Sequence, residues 1–161
     1  MNYYGFETIE QIKKIIREVC SFFSDGDKDL EERSYRMVME TFMVETQLGT
    51  FPDTVNESGF GIAQFDLIGF EDTKVESIDK YKDSVYKKWG VNLDIVQLVE
   101  LRYNTPLSGI FCRLKYKRVP EKIPSTVEER AKYWKKYYNS HLGAGTEAFY
   151  IKSVNSFSHI I

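Results

Sequence analysis

Apolar residues recur at helical spacing through the first quarter of the chain. Ile9, Ile12, Ile15, Ile16, Val19, Phe22 and Phe23 predict a helix over 8–23. Ser24-Asp25-Gly26-Asp27 interrupts it as a turn and N-cap; the run DGDKD lacks the downstream glutamate that a calcium loop needs. A second helix is expected over 29–48. It is apolar on almost every side from Met37 to Val44, the mark of a helix in the middle of a fold.

The pattern then breaks. Gly49, Pro52-Asp53, Asn56, Ser58-Gly59 and Gly61 punctuate residues 49–65, leaving room for a short hairpin or irregular β segment. Helical spacing returns over 76–90 and 92–102, and again over 105–118, opened by Thr105-Pro106 as N-cap and first-turn pair. Ser125 to Glu128 reads as a capping box for a last long helix to about Tyr138. Gly143 and Gly145 end it, leaving a short tail over about 150–161. The expectation is an α+β domain, predominantly α, with a small β-hairpin region beside a buried central helix.

At 161 residues the chain suits one domain. A net charge of −2 supplies no field that recruits nucleic acid. Lysine-rich pieces such as KYKR (115–118) and Lys135-Lys136 read most simply as solvated helix faces, or as points that meet an anionic wall polymer. The start, MNYYGFETIEQIKK, is neither a signal peptide nor a membrane span. Synthesis in a cytoplasm, with another route out and no membrane insertion, is therefore expected. Aromatics reach 15%, enough to fill a core and also to line a groove for a flat ligand. Cys20 and Cys112 read as core fillers, and His141 and His159 as surface residues. No arrangement for a metal, a cofactor or a Ser-His-Asp triad is visible.

The candidate chemistry centres on a glutamate. Glu45 shares the apolar stripe of Val38 and Phe42 near the end of the buried helix. Burial there would raise its pKa toward the value a general acid needs at neutral pH. Glu57, the alternative, follows a turn-rich run with no helix before it, where a carboxyl stays wet and ionised.

From residue 35 to about 150 the chain resembles the lysozyme-like superfamily, and within it soluble lytic transglycosylases and phage muramidases. Glu45-Thr46 stands sixteen residues before Gly61-Ile62-Ala63-Gln64-Phe65, similar to the family's Glu-Ser and Gly-Leu-Met-Gln-Ile pair. Asn104 and Gly109 resemble its Asn-Ile-x-x-Gly helix, and Tyr137-Tyr138-Asn139 with Gly143 its Tyr-Asn-x-Gly element. The resemblance implies a lysozyme-like fold and cleavage of peptidoglycan between N-acetylmuramic acid and N-acetylglucosamine. Glu45 would be general acid and base. Gln64, Tyr138, Asn139 and Asn104 would lie along the substrate, with Tyr138 supporting Glu45 by a hydrogen bond. A hydrolase would bring a second carboxylate, from Asp53, Asp66 or Glu57. Asp53-Thr54 is similar to an Asp-Thr pair of phage-type lysozymes. The resemblance also implies a phage or prophage product, released through a holin or carried in the virion. The rival reading is a non-catalytic lysozyme-like module that binds glycan or builds a virion.

Overall fold

The computed structural model describes residues 3–6, 8–53, 58–139 and 143–161. Six α-helices are described: α1 (Ile9–Phe22), α2 (Lys28–Thr46), α3 (Leu67–Trp89), α4 (Thr105–Lys117), α5 (Val127–Trp134) and α6 (Glu147–Ser156). The protein is predominantly helical. No described helix is long and apolar enough to cross a membrane.

Helix starts follow local chemistry. Thr8 and Gln11 form a reciprocal capping box at α1, and Asp27 accepts the Leu30 N–H at α2. Two caps sit one residue from where the sequence suggests. Asn104, not Thr105, caps α4 by accepting from Leu107 N–H at 3.0 Å. Thr126, not Ser125, caps α5 through the Glu129 N–H.

The apolar run of α2 does what its pattern requires. Met37 through Val44 are all buried, with α1, α4 and α6 packed around the helix. Gly109 on α4 makes the α1 contact close: a Cβ there would stand 2.6 Å from Ile16 Cδ1. Cys20 and Cys112 are buried, free thiols in this core, as read from their apolar flanks.

The two helices expected over 76–90 and 92–102 take a different form. α3 begins nine residues earlier, at Leu67, where Asp66 caps the Gly69 N–H. Only Phe70, Thr73, Ser77 and Val85 of its 23 residues are buried, so most of its length lacks a strong apolar stripe. Beyond Gly90 a turn leads to one short 3-10 stretch, Leu98–Arg102. The C-terminal tail is also corrected. Thr146 caps α6, whose Tyr150 and Val154, four residues apart, are buried against the core.

The short β segment over 49–65 is reduced, among the described residues, to an isolated antiparallel bridge between Phe60 and Phe65. Its bonds measure 2.9 and 3.0 Å. Residues 54–57, Glu57 included, lie outside the described residues, as does His141. Side chains take over much of the pairing that a ladder would provide, as the site shows.

Candidate active site

Glu45 is the penultimate residue of α2. The helix stops because Gln47 and Leu48 turn left-handed, at φ 49° and 54°. Thr46 fixes that end in space. Its buried hydroxyl donates to Ile62 O at 2.9 Å and accepts from Gly49 N–H at 3.1 Å, joining the helix terminus to the 60–65 turn.

Glu45 stands partly exposed in a cleft of about 460 Å³. One part of the lining is the segment carrying Gly59, Gln64 and Asp66; another holds Trp134, Tyr138 and Asn139. Lys115 of α4 and the exposed ring of Phe149 on α6 complete the lining. The second part changes pitch within itself: α5 gives way at Lys135 to a π-helical turn, Lys135–Asn139. Such turns widen a helix locally and recur at functional sites. Here the turn places Tyr138 and Asn139 on the cleft one turn after Trp134.

The Trp134 indole Nε1 donates to Glu45 Oε1 at 3.0 Å. This corrects the expected partner. The Tyr138 hydroxyl instead donates to Ala63 O at 2.6 Å, and its ring stacks on Tyr116 at 5.3 Å. Burial pushes the Tyr138 phenol well above its ordinary range, so it stays a donor. Burial also raises the Glu45 pKa, to about 7. The indole N–H and the Lys115 ammonium favour the charged carboxylate and lower the value, but burial outweighs both.

The residues expected at the site divide cleanly. Glu45, Gln64, Tyr138 and Asn139 converge on one cleft. Asn104 does not; its side chain is spent on the α4 cap. Asp53 does not line the cleft either. Its Oδ1 accepts from Gly61 N–H at 2.9 Å and Gln64 Nε2 at 3.0 Å, while Oδ2 takes the Arg102 Nε at 2.9 Å. It is a clamp that presents Gln64. The turn it clamps requires a glycine: Gly61 has φ 75°, and a Cβ would collide with the Leu101 carbonyl. Asp66 is the carboxylate that joins Glu45 in the lining, with Oδ1 held by the Gly69 N–H at 2.6 Å.

Trp134 and Lys115 are site residues that the sequence does not announce. A buried indole needs a partner for its N–H, which is the one clue to Trp134. Lys115, in the run read as a solvated face, is half-buried in the cleft.

Comparisons with profiles of protein families, with curated proteins and with solved structures return no match. The chemistry is therefore read from the cleft itself. Among the described residues, no group of three or more His, Cys, Asp and Glu side chains is placed to hold a metal ion.

Proposed function

We propose that the chain is a lysozyme-like glycosidase that cleaves peptidoglycan at the β-1,4 bond between N-acetylmuramic acid and N-acetylglucosamine, with Glu45 as general acid and base. One observation carries the reading: a carboxyl at the end of a buried helix, open to a cleft, raised to about 7 and oriented by an indole N–H. At neutral pH such a group is divided between its acid and base forms, which suits both halves of a glycosidic cleavage. Neutral Glu45 protonates the leaving oxygen as positive charge develops on the sugar. The resulting carboxylate then takes a proton from the attacking hydroxyl.

The attacking hydroxyl distinguishes two courses, water for a hydrolase and the sugar's own 6-hydroxyl for a lytic transglycosylase. The commitment of Asp53 to three donors, outside the cleft lining, argues against it as a second catalytic carboxylate. Asp66 is partly engaged as a helix cap. Among the described residues, which do not include Glu57, both facts favour the single-carboxylate course, in which the acetamido group of the sugar assists. Cleavage of a wall polymer by a chain of this kind fits a phage or prophage product reaching the wall through a holin or in the virion.

Glu45→Gln should abolish turbidity loss of purified cell walls while the circular dichroism spectrum stays unchanged. Retained activity would overturn the assignment. Mass spectrometry of wild-type products separates the two courses, since the anhydro sugar lacks one water.

A further inference from the structure

We propose that Lys115 determines specificity in the cleft by taking a carboxylate carried on the sugar chain, so that acidic glycans bind in preference to neutral ones of the same backbone. The inference rests on the glycosidase reading and names the substrate class within it.

The geometry singles out this lysine. Its Nζ lies 4.0 Å from the Tyr138 ring centroid and 5.2 Å from that of Phe65, inside the cleft that holds Glu45. Nearby cations are engaged. Arg118 chelates Glu76, Lys117 donates to Phe23 O at 3.0 Å, and Lys135 donates to Asn139 Oδ1 and Gly143 O. Lys115 makes no hydrogen bond or ion pair among the described residues; its Nζ lies over the two aromatic faces and beside Gly69, at the Asp66 cap.

An ammonium has three N–H donors and pays for leaving water unless they are used. Burial lowers the Lys115 pKa, only partly offset by the fields of Asp66, Cys112 and Glu45. Asp66 is turned to its helix cap. When Glu45 carries its proton, in the form that begins the reaction, its field on Lys115 vanishes and that of Asp66 is left. An arriving carboxylate then restores what desolvation removed. In the wall polymer one sugar of each pair differs from the other by a lactyl ether. That branch ends in a carboxylate when stripped of peptide and carries the next carboxylate on its stem when intact.

The test uses Glu45→Gln protein, which binds without turnover, and calorimetric titration with three tetrasaccharides. These are an N-acetylglucosamine tetramer, a peptide-free muramic-acid chain and the same chain with stems. The muramic chains should bind about tenfold tighter than the neutral tetramer. Lys115→Met keeps an apolar stem over Tyr138 and should erase that preference without weakening the neutral ligand; Lys115→Arg should retain most of it. Which acidic chain loses more tells the lactyl carboxylate from the stem carboxylate. A preference unchanged in Lys115→Met, or equal binding of all three ligands, overturns the role of Lys115 alone. Failure of every ligand to bind overturns the glycosidase reading with it.

Discussion

Glu45 gives the protein a pH signature that a solvated glutamate would lack. Its folded-state pKa, about 7, lies above the ordinary 4.5, so the native state keeps a proton that the unfolded chain releases across that window. The stabilisation is full below pH 4.5, declines as pH rises and is lost above about 7. Glu45→Gln, permanently neutral, should therefore gain on wild type by about 2 kcal/mol between pH 4 and pH 8, less than full linkage because water reaches the cleft. Thermal melts of both proteins across that range check it. The proposed wall-cleaving activity should fall on an alkaline limb near pH 7 as the acid ionises. Trp134 lowers this pKa by its hydrogen bond, so Trp134→Phe should move the alkaline limb upward. A limb that stays in place would show that the indole does not set the acidity.

At the scale of elements, the cleft depends on contacts that cross the chain. Glu40, five residues before Glu45 on α2, is fully buried and is chelated by Arg130 of α5 at 2.7 and 2.6 Å. It also accepts from the Tyr150 hydroxyl of α6 at 2.7 Å. Removing one partner of a buried pair strands the other, so Arg130→Met or Glu40→Gln should cost about 3–5 kcal/mol. The double replacement Glu40→Leu with Arg130→Met should recover part of that loss, both read from denaturant midpoints. The Asp53 clamp predicts a different signature. Asp53→Ala loosens Gln64, leaving its amide to Gly61 O and Tyr4, and frees the Gly61 N–H, which should raise KM several-fold while leaving the alkaline limb in place. Helices α1 and α2 were legible because an apolar stripe, burial on all sides and the Asp27 cap are local signals. The start of α3 was not, because Gly69 and the exposed Leu67 and Ile68 break its stripe. The π-helical turn has no local signal that separates it from continued α-helix.

For the whole molecule, α6 is the element whose loss should be felt furthest from its own position. A chain ending at Gly145 would lack Tyr150, the third member of the Glu40 network, and Phe149 at the cleft. It should lose cooperative unfolding in calorimetry as well as activity. The sequence underrated this segment because Tyr150 and Val154 are its two buried apolar anchors in a short stretch, and their value appears once α2 and α5 are beside them. The site divides in the same way. Glu45, Gln64, Tyr138 and Asn139, which the resemblance names, line one cleft. Trp134 and Lys115 owe their place to helices meeting in space.

The hydrogen bond from Trp134 to Glu45 spans 89 residues of sequence. While the chain is still emerging from the ribosome, α2 is complete long before α5 has been made. Until α5 docks, the carboxyl lacks both its indole donor and the packing that keeps its proton, and it behaves as an ordinary ionised glutamate. The raised carboxyl is thus a late product of synthesis, formed only once the chain through Trp134 has arrived and docked.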